Sequence, residues 1–307
     1  MNNKREKILI LGGSGFIGSN LVKSLSKGGY HLRLLLKNNE HQYLNHADNE
    51  IEIFQGDFRT IGNYKELLAN VSTVIHLIHS TFPGSTNDDP LADVTENLIP
   101  TLQLVKACIT YKVSKLIFIS SGGAIYGKAK YLPIDENHSL EPISSYGLTK
   151  LTIERYLQYY TETSSLNTII LRVSNPYGPG QKIGKNQGLI GVFANQLLAG
   201  LPLKIFGSGE TIRDFIYVDD VIDAIKIAIN ESEIKFDIFN IGSGEGKSIN
   251  EILMLFKKLH NKSIDIEYLP GREIDVPVNI LNAKKFEILF NWKGRGVEEQ
   301  ILKKFIE

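Results

Sequence analysis

Ile8-Leu-Ile-Leu-Gly12-Gly-Ser-Gly15-Phe-Ile-Gly18 is the stretch on which the fold turns. A short apolar run passes into spaced glycines and then into a helical pattern. Gly12 permits a tight turn, Gly15 lets backbone approach a pyrophosphate, and Gly18 lets a helix pack closely on the strand. The positive end of that helix favours a negative charge. A glycine triplet alone is weak; at a strand–helix junction it points to a dinucleotide, with Phe16 and Ile17 part of the same site.

Working outward, short apolar runs alternate with helical patterns. Ile8–Leu11, Leu32–Leu36, Ile51–Phe54, Thr73–Ile78 and Leu116–Ile119 read as buried strands. Phe16–Lys27 and Leu98–Tyr111 have helical period, and a helix near Ser144–Thr163 and a strand at Thr168–Arg172 extend the alternation. This order predicts an α/β fold with a doubly wound parallel sheet of Rossmann type, covered by helices on both faces. After Arg172 the texture changes. Ser174–Gln187, rich in Gly, Pro and Asn, reads as a long functional loop. A helix near Leu189–Ala199, a turn-rich Phe206–Glu210 and an apolar Phe215–Val218 follow. Asp219 and Asp220 suit the start of the next helix, where a carboxylate caps free N–H groups. A smaller C-terminal α/β lobe is expected, ending in an amphipathic segment.

The 307 residues suffice for this plan. Lys plus Arg and Asp plus Glu number 34 each, which removes any global electrostatic case for a nucleic acid or an anionic membrane as partner. No signal peptide or spanning segment is visible. Cys108 is the only cysteine, so neither an intrachain disulfide nor a thiolate zinc cluster is expected, and a cytoplasmic location fits.

A carboxylate at the end of the second strand would bind the adenosine ribose and select NAD. Leu36, Lys37, Asn38 and Asn39 stand there instead. Lys37 can face a 2′-phosphate or simply be solvated, so NAD and NADP both stay open. Asp57, after the third strand, reads either as an adenine contact or as a turn residue. His76 and His79 invite a metal reading, but side chains three apart on a strand point to opposite faces. Cleft-wall or core histidines are expected, and no metal.

Tyr146-Gly-Leu-Thr-Lys150 falls in the predicted helix, where the i, i+4 spacing puts both side chains on one face. A free phenol titrates near pH 10, too high for a base at neutral pH. A nearby ammonium stabilises the phenolate, and Tyr146 then takes or gives the proton of a substrate hydroxyl.

Six segments together resemble one family, the extended short-chain dehydrogenase/reductases of the NAD-dependent epimerase/dehydratase type. They are Gly12–Gly18, Ser120-Ser-Gly-Gly-Ala-Ile-Tyr126-Gly127, Tyr146–Lys150, Asn175-Pro-Tyr-Gly-Pro-Gly180, Arg213-Asp-Phe-Ile-Tyr-Val-Asp-Asp220 and Arg272-Glu-Ile-Asp-Val-Pro277. The resemblance runs from about Lys7 to Trp292 and implies a nucleotide-sugar substrate. It implies a dinucleotide-binding domain over 1–173, with segments near 212–241 returning to it, and a mainly nucleotide-sugar-binding lobe over 174–307. It makes Tyr146 the acid/base, with Lys150 also on the nicotinamide ribose, and it counts Asp57 and Phe58 with the cofactor site. Asn175, Arg213 and Arg272 match positions that grip the nucleotide diphosphate, which suits arginine forks. A surface ion pair with Asp214 or Asp275 is the competing reading for each arginine. Lys204 and Phe206 match the segment along the pyrimidine, although Phe206 reads equally as core. A homodimer through helices such as Leu98–Tyr111 and Ser144–Thr163 is also implied.

Two departures bear on the reaction. The family's Ser or Thr, four residues before the tyrosine of Tyr126-Gly127, is Gly122 here; Ser121 is adjacent and is counted with the catalytic residues. The ribose-binding Asp is also missing. Asn279, seven residues after Arg272, stands where some 4-epimerases of the UDP-glucose type place a large tyrosine, and it leaves room for an N-acetyl group. The leading expectation is a 4-epimerase of UDP-hexoses or their N-acetyl forms. The alternative is an NADPH-dependent reductase of 4-keto-6-deoxy nucleotide sugars, favoured by Lys37 and Gly122. A dehydratase is disfavoured because Gly122-Gly123-Ala124 lacks the Thr-Asp-Glu of such enzymes. A cofactor-binding sensor without turnover is disfavoured by the intact Tyr146 and Lys150.

Overall fold

The computed structural model describes residues 7–37, 51–81, 89–181, 188–260, 264–272 and 275–306. Asn38, Asn39, Glu273, Ile274 and residues 182–187 of the expected loop lie outside the described residues. Two compact units are formed. Unit one takes the described residues of Met1–Ser120, Ser144–Leu171 and Ile222–Ile238; unit two takes those of Ser121–Ile143, Arg172–Val221 and Phe239–Glu307.

Most of the main sheet belongs to unit one. Its strands are β1 (Lys7–Leu11), β2 (His31–Leu36), β3 (Ile51–Gln55), β4 (Val71–His76), β5 (Lys115–Ser121), β6 (Asn167–Val173) and β10 (Phe236–Ile241). They lie in the order β10-β6-β5-β4-β1-β2-β3, the doubly wound arrangement that turns about β1 and β4. The pairings β1–β2, β1–β4, β2–β3 and β4–β5 are parallel. Ile8, Leu9, Ile10 and Leu11 are all buried, which is why the strand reads as an unbroken apolar run. β4 stops at His76, two residues short of the expected Ile78. Its partner β1 stops opposite, at Leu11.

The helices of unit one are α1 (Phe16–Lys27), α2 (Tyr64–Leu67), α3 (Pro90–Asp93), α4 (Ile99–Thr110), α5 (Ser145–Thr163) and most of α7 (Val218–Asn230). A π turn, Val94–Leu98, joins α3 to α4. Leu104, Val105 and Cys108 of α4 and Ile153 and Leu157 of α5 enter one core with Leu9, Val74 and Phe118. Two buried cations finish helix ends. Arg33 donates to the carbonyls of Glu66, Leu67 and Ala69 behind α2, and Lys115 to those of Ala228 and Ile229 at the end of α7. Carbonyls that a helix leaves open are thereby satisfied.

Unit two holds β7 (Asn175–Tyr177), α6 (Leu189–Leu198), β8 (Leu203–Phe206), β9 (Ile212–Tyr217), β11 (Gly246–Ser248), α8 (Ile249–Leu259), β12 (Ile266–Leu269), β13 (Val278–Asn279), α9 (Lys284–Phe290) and α10 (Glu299–Ile306). β9 pairs with β7 and β13 in parallel and with β11 antiparallel, and β8 pairs with β12 in parallel. The stretch expected as loop from Ser174 thus begins with a strand, because Asn175–Tyr177 finds β9 beside it. Asp219 and Asp220 do open α7. The Asp220 carboxylate, however, takes the Arg295 guanidinium at 2.7 Å and the Arg295 N–H.

Candidate active site

In unit one the glycine turn leaves the carboxyl end of β1. Gly12 has φ +89°, a left-handed conformation that favours glycine. A Cβ on Gly18 would collide with the Gly12 carbonyl oxygen, so that position holds only glycine. Gly15 caps α1 without a side-chain hydrogen bond, and the first turn carries no acidic residue. The N–H groups of that end are therefore left for an anion. The residues present fit the diphosphate of a dinucleotide.

Asp57 stands at the turn that follows β3. Its carboxylate accepts from the Arg59 N–H and caps a 3-10 turn, Phe58–Thr60. The Arg59 side chain holds that carboxyl well below the usual range. Lys37 completes the group at 3.2 Å from Asp57. Its ammonium thus shares a carboxylate with Arg59. Phe58 is buried and packs against His76.

Tyr146 and Lys150 lie one turn apart on α5. Ser144 accepts from the Gly147 N–H and fixes where the helix begins. The Lys150 ammonium is buried, donates to the Ile119 carbonyl at 2.8 Å and stands 4.6 Å above the Phe118 ring. Burial pulls its pKa down to about 7, against the opposing pull of Glu154 and Asp93. Glu154, one turn further on, is buried and accepts from Ser120. Its carboxylate places a negative charge below the ammonium.

The two histidines part company. His76 ends β4 inside the core, bonded to Thr101 and against Phe118, and burial keeps it well below the usual imidazole range. His79, beyond the strand, meets the Tyr146 ring in a T-shaped contact with centroids 4.6 Å apart. Reading the motif alone missed His79 as a neighbour of Tyr146, and it missed Asp93 and Asn97. The signal available was the i, i+4 spacing of Asp93 and Asn97. No grouping of three or more metal-ligating side chains occurs among the described residues.

Unit two carries the rest. Ser121 is the last residue of β5. A Cβ on the neighbouring Gly122 would collide with Leu281, which is buried. The Leu281 side chain fills the space that a side chain at 122 would need. Asn279 is fully buried, and its amide donates to the Gly122 carbonyl at 3.0 Å. Its Oδ1 has no hydrogen-bond partner among the described residues. Asn175 donates to the Asp214 carbonyl, which ties β7 to β9.

Arg213 and Arg272 share Asp275. Arg272 forks onto it at 2.8 and 3.0 Å, and Arg213 lies 3.5 Å away. Arg213 also donates to the Val276 carbonyl. Asp214, the other candidate partner, is buried and bonded to Ser243, Gly244 and Leu281 instead. Two guanidiniums against one carboxylate leave a net positive charge. Phe206 is 39% exposed and lies under Arg272 at 4.6 Å, so it is no core residue. Lys204 pairs with Glu267 across β8 and β12.

Residues 8–242 match the NAD dependent epimerase/dehydratase family. A putative UDP-glucose 4-epimerase of Methanocaldococcus jannaschii is 34% identical over 93% of this chain and 92% of its own. The dTDP-4-dehydro-6-deoxyglucose reductase of Escherichia coli is 31% identical over 100% of this chain and 98% of its own. The crystal structure of Thermotoga maritima UDP-glucose 4-epimerase with UDP-glucose superposes with a TM-score of 0.90, at 32% identity, covering 98% of this chain and 97% of that one. The glycine turn, the Tyr146–Lys150 helix and the sheet order stand within that match: this chain belongs to the NAD-dependent epimerase/dehydratase family.

Proposed function

We propose that the chain epimerises a nucleotide sugar at C4, acting on a UDP-hexose or UDP-N-acetylhexosamine, with NAD as cofactor. The observation that carries this reading is the buried Lys150 ammonium one helical turn from Tyr146. NAD, when bound, would supply the hydride-accepting and hydride-donating chemistry needed at C4. Tyr146 takes the C4 hydroxyl proton as the 4-ketose forms and returns it when the ketose is reduced on its other face. Lys150 stabilises the phenolate, and the phenolate in turn favours the charged ammonium that burial opposes. Gly12, Gly15, Phe16, Ile17 and Gly18 receive the cofactor diphosphate, with Lys37, Asp57 and Phe58 beyond them. Arg213 and Arg272 receive the substrate diphosphate, Asn175 supports that strand pair, and Lys204 and Phe206 flank the base. Ser121 is the hydroxyl nearest in sequence to the missing one. Asn279, smaller than the tyrosine expected there in some 4-epimerases, is compatible with the N-acetyl form, although its side chain is fully buried on the Gly122 carbonyl. A homodimer is part of this reading.

The test is to denature purified protein, identify what it releases by mass spectrometry, and assay it without added cofactor. Released NAD with interconversion of UDP-glucose and UDP-galactose, or of their N-acetyl forms, is the expected result. A second reading, the reduction of a 4-keto-6-deoxy nucleotide sugar, is favoured by the similarity to the E. coli reductase and by Gly122. An absolute need for stoichiometric NADPH, with no epimer exchange, would establish it in place of the first.

A further inference from the structure

His79 lies three residues beyond the end of β4, within unit one. Its ring meets the Tyr146 ring at 81°, the perpendicular geometry in which the positive edge of one ring faces the negative face of the other. Its Nε2 is buried and stands 3.5 Å from Oδ1 of Asp93, itself fully buried at the end of α3. That same carboxylate oxygen accepts from Thr81 Oγ1 and, at 3.2 Å, from Asn97 Nδ2. Asn97 Oδ1 accepts from the Ser80 N–H at 2.8 Å. Asp93 is thereby gripped from the loop after β4 and from the π turn that carries Asn97. Single π turns inside helices recur at functional sites. This one brings Asn97 to Asp93.

The charged and titratable groups around His79 are Asp93, Lys150, His76 and Tyr146. Burial, with the Lys150 charge, holds the imidazole neutral, at a pKa of about 4. The Asp93 carboxylate, 3.5 Å from Nε2 and outside hydrogen-bond geometry, favours the tautomer with its proton on that nitrogen and so biases the plane of the ring. A ring biased in this way limits the orientations open to the Tyr146 ring packed against it.

We propose that His79, oriented by Asp93, is a positioning residue for Tyr146 and holds the phenol in one orientation. This rests on the assignment of Tyr146 as the acid/base. The contact itself can be read without turnover. The protein is prepared with 13C-labelled tyrosine, and the Tyr146 ring signals are assigned from their loss in Tyr146→Phe. In His79→Ala these signals are expected to move and broaden. In His79→Phe, which keeps a ring at that place, they are expected to stay single. In the epimerase assay His79→Ala is expected to lower kcat roughly 10- to 100-fold, the scale of a small misplacement of a reacting group. KM should stay within about threefold, and His79→Phe should recover most of kcat. Unmoved Tyr146 signals in a folded His79→Ala protein would overturn the proposal. So would a loss confined to KM, or a His79→Phe protein no better than His79→Ala. If the wild-type protein epimerises no nucleotide sugar, the functional reading fails, and the tyrosine spectra still decide the contact.

Discussion

Lys150 sits where an ammonium is poorly solvated, with a carbonyl and the face of Phe118 for company. Its pKa of about 7 lies below the unfolded value near 10.4, so the unfolded chain binds more protons between those limits. The resulting cost to stability is full below about pH 7 and is relieved as pH rises through that window. His79 has the same sign at lower pH. With about 4 in the fold against about 6.5 unfolded, its neutral form supports the fold above 6.5, and that support is lost on acidification toward 4. Urea melts at pH 6.5 and pH 4 are expected to show a drop to which His79 contributes roughly 3 kcal/mol, at about 1.4 kcal/mol per pKa unit. His79→Gln should flatten that part; an unchanged slope would refute the assignment. At the chemical step, Tyr146→Phe should lower kcat roughly 100- to 10,000-fold, the range for losing a general acid/base, while the melting temperature stays near wild type. Steady-state assays beside a thermal melt give both numbers. Tyr146 and Lys150 were legible as a pair because i, i+4 spacing is a local property. The third member, His79, was not, because its contact depends on where β4 stops and α5 begins.

Among elements, β1 and α1 are joined at a place with no room. At Gly18 an added methyl meets backbone, which cannot swing aside as a side chain can. Gly18→Ala is expected to destabilise by at least about 1–3 kcal/mol, the usual cost of overpacking, measured as a fall in the denaturant midpoint. Gly122 is tight for a different reason, since its obstacle is the side chain of Leu281. Gly122→Ser should cost about 1–3 kcal/mol by itself and less in a Leu281→Ala background. Additive effects in that cycle would show that the two positions do not compete for space. Parallel strands buried on both faces announce themselves as apolar runs, and β1, β2, β4, β5 and β6 were readable for that reason. β3 was read as a buried strand too, but it is the sheet's outer strand, with no buried residue and Ile53 exposed. β7 was not, since Asn175-Pro-Tyr177 has no strand signature and becomes a strand only through β9. The π turn was equally silent, because its departure from α-helix is a matter of one hydrogen-bond step. The sharing of Asp275 by Arg213 and Arg272 brings together residues about sixty apart, beyond the reach of spacing arguments.

For the molecule as a whole, α5 presents Leu148, Tyr156 and Tyr159 as exposed side chains at helical spacing, and α4 presents Ile99. A second copy of this chain is the proposed cover. Light scattering at micromolar concentration should give the mass of two chains, and Leu148→Glu with Tyr156→Glu should halve it. A monomeric wild type would refute the dimer. The order of the sheet has its own consequence for how the protein is made. β10, the neighbour of β6 at the sheet's edge, ends at Ile241, 68 residues after β6 ends at Val173. At 5–20 residues per second the ribosome takes roughly 3–14 seconds to cover that stretch. Through that interval the nascent β6 has its outer edge unpaired, the kind of strand edge that invites association with other chains.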